Sequence, residues 1–192
     1  ITEEELDPYR DTYSARLERL DEVFGLLIAG LKDEGVYESS MITFTANEGW
    51  PMGEHGLIGP AMPWIHEERD HIPLLCKLPS ERNRSRSNAL VSSADLSAAI
   101  DEFLGVPQVE GAFSLLSLMK GESDHGRKEL ISGIRGAEYS IRTSDWRLIL
   151  PLNPTSQRPR QLYAKPEDRW EFNDLAEQRS EIADELEEKL RS

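Results

Sequence analysis

The sequence predicts an α/β fold, and three observations support this. Apolar side chains recur at spacings of three and four between residues 8 and 34, the pattern of one long amphipathic helix. Residues 41–45 are rich in β-branched and aromatic side chains, which favours a short buried strand. Residues 139–143 and 146–150 indicate a hairpin. A helix that leads into a strand indicates layered α/β packing, and the hairpin adds an antiparallel sheet.

The long helix has residues typical of helix ends, and a long loop separates two strands. Pro8 suits the first turn of the helix, and Gly35 suits its C-terminal cap. A second apolar strand is predicted at residues 73–78, where Cys76 is expected to be a buried structural thiol. Residues 46–71 contain too many glycines and prolines for regular structure. Because long loops in compact domains are often functional, we expect the chemistry of the chain here.

The second half of the chain adds two helices to the hairpin. Ser93 caps a short predicted helix, and the hairpin is expected to contact residues 161–163. A final amphipathic helix begins at Ser180, with acidic residues early and basic residues late, which matches the helix dipole. We therefore divide the chain into an α/β portion, residues 1–125, and a small antiparallel sheet with a C-terminal helix, residues 126–192.

The composition excludes several classes of function. A formal net charge of −14, from 36 acidic and 22 basic side chains, argues against nucleic acid as a partner. No apolar run approaches the roughly 20 residues that span a bilayer, and the first residues have neither the basic nor the apolar region of a signal peptide. We therefore expect no membrane partner. The single cysteine excludes an internal disulfide.

Several strings support a more specific interpretation. Residues 42–49, ITFTANEG, are similar to a strand and turn usually written FTSDHG or FTSDNG, and residues 53–57 are GEHGL. Residues 66–74, HEERDHIPL, are similar to YEESxRVPL, and residues 114–122, SLLSLMKGE, to SLLPLLKGE. The hairpin string IRTSDWRLI, residues 141–149, is similar to xRTGDYKLI. With these strings the chain resembles the C-terminal part of a sulfatase of the alkaline-phosphatase superfamily, of the arylsulfatase-like kind.

This resemblance implies both an architecture and a partner. The fold would be the distal strands and helices of an alkaline-phosphatase-like sheet, followed by a small C-terminal antiparallel sheet with a terminal helix. In the family, the N-terminal half carries the nucleophile signature CxPSR and two further metal-ligand aspartates, and neither CxPSR nor SxPSR occurs in this sequence. The implied partner is the missing N-terminal half or a partner chain, and a sulfate ester is the substrate only of the completed enzyme.

Two further expectations concern the environment of the chain. The family resemblance implies a periplasmic or secreted protein. Without the N-terminal half, the sheet of this chain would also expose a strand edge or an apolar face. Such a surface favours a homo-oligomer.

The metal-binding turn of the family corresponds here to Asn47 and Glu48. The resemblance implies that they ligate a divalent cation, Ca2+, and the pair still offers two oxygens and one negative charge. The turn departs from the family pattern, so we expect weak binding or none. Pro60 stands where the family has a lysine directed at the sulfate, and proline offers neither charge nor a donor. His55 and His66 are the candidates for catalytic groups that partly replace this lysine.

Three functions stay open at this point. In the first, the chain is the C-terminal region of a sulfuric ester hydrolase and is inactive alone, because the nucleophile half is absent and the metal and lysine positions are altered. In the second, it is a non-catalytic binding or regulatory pseudoenzyme. In the third, it belongs to a sulfatase or phosphoesterase that is active once an N-terminal half completes it. The first is the interpretation that we carry forward.

Overall fold

The computed structural model describes residues 2–60, 65–80, 84–108, 112–152 and 158–192. In chain order, the helices and strands of these residues are α1 (Glu3–Asp33), β1 (Ile42–Thr45), α2 (Glu67–Asp70), β2 (Leu74–Lys77), α3 (Ser93–Phe103), α4 (Leu116–Met119), β3 (Glu129–Ile134), β4 (Glu138–Thr143), β5 (Trp146–Pro151), β6 (Gln161–Ala164) and α5 (Ser180–Arg191). Mixed helices and strands with two antiparallel sheets confirm the predicted fold class. None of the helices in these ranges is long and apolar enough to cross a membrane.

The described residues form two compact units, and each is treated separately. The first unit comprises residues 2–60, 71–80 and 84. The second unit comprises residues 65–70, 85–108, 112–152 and 158–192. The predicted division of the chain between residues 125 and 126 stays a prediction.

The helix α1 begins earlier than the sequence pattern predicts. The Glu5 carboxylate accepts the backbone N–H of Thr2 at 2.8 Å, and the Glu5 N–H donates to the Thr2 hydroxyl at 3.3 Å. This capping box begins the helix at Glu3. The expectation that Pro8 lies in the first turn is therefore wrong, and Pro8 lies further inside the helix. Gly35, with a φ of 72°, follows the last turn in the left-handed conformation expected there.

The strands β1 and β2 form an antiparallel pair in the first unit. Ile42 lies opposite Lys77, and Phe44 on β1 contacts Phe24 on α1 edge to face, with ring centroids 5.6 Å apart. The predicted second apolar strand is confirmed as β2. The expectation that Cys76 is buried there is wrong, because Cys76 is exposed and its neighbour Leu75 is 60% exposed.

The exposure of β2 follows from an open apolar groove between this strand and α1. The groove has a volume of about 560 Å3. Its apolar lining residues include Leu17, Leu20, Phe24, Ile28, Phe44 and Leu75. Cys76 also lines the groove, and partial burial there raises the pKa of its thiol. In the described residues, the first unit thus has an apolar surface of α1 and β2 that is open to solvent.

A four-stranded antiparallel sheet, in the order β3-β4-β5-β6, forms the centre of the second unit. The predicted hairpin is confirmed as β4 and β5, and its predicted contact with residues 161–163 is confirmed as β6. One face of the sheet packs against α5. Ile141, Leu148 and Leu162 lie side by side on this face and share a core with Ala183 and Leu186 of the helix. The amphipathic pattern from Ser180 therefore buries the face that the sequence predicts.

The other face of this sheet is covered by a short segment from earlier in the chain. Ile65 is buried against Ile149 and Tyr163 on this face. Because side chains alternate along a strand, Arg147 projects to the same face as Ile149. The segment that carries Ile65 also carries His66, so this face holds one of the predicted site residues.

Candidate functional site

The turn after β1 places Asn47 and Glu48 next to each other. Asn47 is exposed, and its Oδ1 accepts the backbone N–H of Glu48 at 3.0 Å. Glu48 is half-buried. A carbonyl oxygen has two lone pairs, so Asn47 keeps an acceptor site beyond this bond. The structure therefore presents two oxygen-donor side chains at the end of one strand.

The glycine-rich loop that follows this turn is closed by its own backbone. Gly53 donates to the Leu57 carbonyl at 2.8 Å, and Gly59 donates to the Pro51 carbonyl at 2.9 Å. Met52 and Ile58 form an isolated antiparallel bridge between these two bonds. The loop is thus an ordered element, although its glycines and prolines exclude long helices and strands.

Gly53 shows why a glycine is needed in this loop. Its φ is 116°, a conformation that residues with a side chain rarely adopt. A Cβ atom at this position would lie 2.7 Å from Cδ1 of Leu6, which is buried on α1. The loop therefore packs on α1 so closely that a side chain at Gly53 would require the Leu6 side chain to shift.

The other two predicted positions of this loop lie in the first unit with Asn47 and Glu48. His55 is half-buried and lies in the left-handed region, with a φ of 51°, inside a single 3-10 turn from Glu54 to Gly56. Pro60 is exposed at the end of the described part of the loop. The catalytic role predicted for His55 stays a prediction.

His66 lies in the second unit and is fully buried. Its Nδ1 is 2.7 Å from Oε2 of Glu171, and its ring contacts Tyr163 edge to face with centroids 5.7 Å apart. This environment places the imidazole among structural contacts of the sheet. Its catalytic role stays a prediction.

His66 belongs to a largely buried group of ionisable side chains that we call the charge cluster. Its members are His66, Glu67, Asp70, Arg147, Lys165 and Glu171. Arg147 pairs with Asp70 at 2.8 Å and with Glu171 at 3.3 Å. Lys165 pairs with Glu67 at 2.8 Å and with Glu171 at 3.0 Å. Arg147, Lys165 and Glu171 are each at most 3% exposed, so the pairs among them are interior, whereas Asp70 lies at the exposed edge of the cluster.

The charge cluster strongly favours the ionised form of Glu171. Burial alone would raise the pKa of this carboxyl group, but Arg147, the hydrogen bond with His66 and the charge of Lys165 together lower the pKa to about 2. Burial also acts against the charge of Arg147, yet Glu171 and Asp70 raise the pKa of its guanidinium. Each charge is therefore retained in the interior by its partners.

Sequence reasoning missed the charge cluster. Arg147 lies within the apolar run of β5, and a charged residue at an inward position of such a strand indicates a buried partner. That signal was present in the sequence. The identity of the partners was not, because Glu67 and Lys165 are 98 residues apart in the chain.

The donors in this chain fit a calcium ion in type but not in number. Calcium takes about six to eight oxygen ligands, and Asn47 with Glu48 supplies two side chains. Within the described ranges, no group of three or more histidine, cysteine, aspartate or glutamate side chains could hold a metal ion. The two side chains by themselves therefore do not make up a full set of calcium ligands.

Comparison with known proteins places this geometry in a family. The family model described as Sulfatase matches residues 2–106, which include the turn, the glycine-rich loop and α3. The chain belongs to the sulfatase family. This sulfatase chain is 27% identical over its whole length to arylsulfatase K of Danio rerio and spans 38% of that protein. It is 25% identical to the N-acetylglucosamine-6-O-sulfatase of Bacteroides thetaiotaomicron, where the match covers 87% of this chain and 30% of the relative.

Solved structures agree on the fold of the sulfatase chain. The phosphonate monoester hydrolase of Agrobacterium radiobacter matches 98% of this chain with a TM-score of 0.79 at 20% identity, and the match covers 42% of that protein. A protein solved in complex with its substrate D-glucosamine-2-N,6-O-disulfate matches 91% of this chain with a TM-score of 0.78 at 24% identity, and the match covers 38% of that protein. The chain thus corresponds to the C-terminal part of its relatives and spans less than half of their length.

Proposed function

We propose that this chain is the C-terminal region of a sulfuric ester hydrolase and that it contributes to the active site without completing it. The observation that carries the proposal is the pair Asn47 and Glu48, at the end of β1 and inside the matched region. The similarity to an arylsulfatase and to an N-acetylglucosamine-6-O-sulfatase supports a sulfate ester as the substrate class.

In the completed enzyme, Asn47 and Glu48 would supply two of the oxygen ligands of a calcium ion. A bound divalent cation would polarise an ester oxygen and offset developing negative charge. On this chain, the Asn47 carbonyl and the Glu48 carboxylate are neighbouring oxygen groups, and the Glu48 backbone N–H donates to Oδ1 of Asn47 at 3.0 Å.

The glycine-rich loop supports the proposal that the chain is inactive alone. An oxyanion site needs N–H groups or cations that are directed at the developing charge. The N–H groups of Gly53, Gly56 and Gly59 already donate to carbonyls within the loop. Pro60 adds no donor at the position of the family lysine. Of the predicted catalytic residues, only His55 adds a side-chain N–H in this loop, and we propose it as the group that partly replaces that lysine.

A second candidate function is a binding or regulatory pseudoenzyme. The open apolar groove of the first unit favours it, since contiguous exposed apolar surface is typical of sites that bind another protein segment. The third candidate, activity after completion by an N-terminal half, uses the same pair Asn47 and Glu48. Detection of a CxPSR segment upstream in the coding sequence would favour this third candidate over the second.

The remaining expectations about environment are proposals too. Self-association is expected from the groove, and sedimentation velocity at several protein concentrations would reveal it. A periplasmic or secreted location is expected from the family, and fractionation of the source cells would contradict it if the protein stayed with the cytosol.

A turnover assay tests the proposed function. The purified chain is incubated with p-nitrophenyl sulfate and p-nitrophenyl phosphate, with and without calcium. We expect no product above the buffer rate, because the nucleophile motif is absent from the sequence. The variant Pro60→Lys, which adds the family's cation, should be equally inactive for the same reason.

The matched controls are Asn47→Ala and Glu48→Ala. If the chain turned over either ester and one of these variants abolished that turnover, the chain would be active by itself and the proposal would be wrong.

A further inference from the structure

Residues 65–70, which we call the strap, lie on one face of the four-stranded sheet. The strap contains α2, whose backbone hydrogen bonds from Arg69 and Asp70 both reach the His66 carbonyl, at 3.0 and 3.2 Å. A helix of four residues is far too short to be stable in isolation. The order of the strap therefore depends on its contacts with the sheet.

Several polar contacts between the strap and the sheet pass through the charge cluster. Arg147 on β5 donates to the Ile65 carbonyl and pairs with Asp70 at 2.8 Å. Lys165, just after β6, pairs with Glu67 at 2.8 Å. Ser132 on β3 also donates to Asp70 at 2.7 Å. The sheet thus supplies the cations, and the strap supplies carboxylates.

Glu171 connects both sides of this contact. Its Oε2 accepts the backbone N–H of Glu67 at 3.2 Å and lies 2.7 Å from Nδ1 of His66, while its Oε1 pairs with Lys165 at 3.0 Å. Glu171 itself has a φ of 60°, a costly conformation for a residue with a side chain. The surrounding contacts therefore stabilise a backbone geometry that points this carboxylate into the cluster.

We propose that the charge cluster makes the strap a separately releasable element, which leaves the sheet as one unit when the cluster loses a negative charge. Apolar contact alone is small here, because Ile65 is the strap's one contribution to the buried core of this face. Breaking a buried ion pair on one side leaves an uncompensated interior charge, which is strongly unfavourable. Release of the strap lets water reach that charge.

Acid is one way to remove the charge. The ionisable groups around Glu171 and its partner Arg147 are His66, Glu67, Glu68 and Asp70 on the strap, Arg142 on β4, and Tyr163 and Lys165 at β6. The pKa of Glu171 is about 2 in the folded protein, below its ordinary value of 4.5. A lowered pKa contributes stability that is fully present above the ordinary value and is lost progressively as the pH falls toward 2.

Hydrogen exchange followed by mass spectrometry tests the proposal on the whole chain. The measured quantity is the protection of the strap amides, corrected for the intrinsic effect of pH on exchange. Between pH 6 and pH 3, protection of the strap in the wild type should fall by up to about 30-fold, while β4 and β5 keep theirs.

Two variants remove a negative charge from the cluster without a change of pH. Glu171→Gln should lower strap protection at pH 6 by about 100-fold and remove most of its dependence on pH. Glu67→Gln, which alters the strap alone and leaves the loop of Glu171 intact, should lower strap protection in the same direction. The matched control is Glu187→Gln. Glu187 lies on α5 and pairs with Arg191 on the same helix and with Arg160, which precedes β6.

The outcomes are distinct. Loss of protection in the strap alone, in either variant, supports the proposal, and Glu67→Gln decides it if Glu171→Gln does not fold. Wild-type exchange of the strap in both variants would overturn it, as would equal loss of protection in the strap and in β4 and β5. None of these readouts requires turnover, so they are independent of the hydrolase proposal.

Discussion

Asp95 connects the start of α3 to the segment that leads into β3. Its carboxylate accepts the Ser92 backbone N–H at 2.8 Å, and both of its oxygens lie 2.9 Å from Nε of Arg127. The cap is therefore Ser92, one residue before the predicted Ser93, because Asp95 completes the capping arrangement from the third helical position. Burial raises the pKa of Asp95, but Arg127 and Ser92 together hold it below its ordinary value.

Replacing this carboxylate should weaken the second unit. We expect Asp95→Asn to lower the free energy of unfolding by about 1–3 kcal/mol, because a buried charge-assisted contact is lost. Urea unfolding at pH 7 measures this, with the exposed Glu102→Gln on the same helix as the control. Since the pKa of Asp95 is lowered on folding, the difference between wild type and variant should shrink as the pH falls through the folded pKa. A difference that grew in acid would contradict this assignment.

For individual residues, the sequence indicates which side chains could act as ligands or catalytic groups, but it does not indicate where they lie in the fold. Asn47 and Glu48 are adjacent in the chain, so their proximity could be predicted. His66 could not be placed in the same way, because its partner Glu171 is 105 residues away. Long-range contacts of this kind depend on sheet register, which a single sequence does not reveal.

The glycine-rich loop is the element on which the candidate site depends. Gly53 and Gly56 both have positive φ, at 116° and 74°, but only Gly53 has a close neighbour where a Cβ would lie. Gly53→Ala should therefore destabilise the first unit by about 1–3 kcal/mol more than Gly56→Ala, since both add backbone strain and only the first adds a clash with Leu6.

Thermal unfolding of these two variants provides a matched comparison. Equal losses would show that the contact with Leu6 does not position the loop. Because Gly53 lies in the string GEHGL, the structure gives a physical reason for glycine at the first position of that string.

Among the larger elements, periodic ones were predictable and the irregular strand was not. The helices α1 and α5 and the hairpin of β4 and β5 have clear periodicity. The strand β3 contains Gly133, which weakens a strand pattern, and a Cβ there would lie 2.2 Å from the ring of Tyr139. Cross-strand packing of the tyrosine over a glycine therefore determines a strand that local propensity does not indicate.

For the whole molecule, the sequence strings predicted the family, and the family model confirms it. The structural matches confirm the fold. Burial was harder to predict than fold class. Leu75 and Cys76 have the apolar pattern of an interior strand, yet they line the open groove of the first unit. The apolar pattern of a strand indicates which of its faces is favourable to bury. It does not indicate whether the described residues cover that face.

We propose that this chain supplies part of a metal site and does not complete it. Calcium titration by calorimetry on the wild type and on the double variant Asn47→Ala, Glu48→Ala measures this directly. We predict no sub-millimolar binding to the wild type, because two ligand side chains are far fewer than the six to eight oxygens that calcium takes. Sub-millimolar binding that disappears in the double variant would contradict this account and show that the turn forms a complete site on this chain.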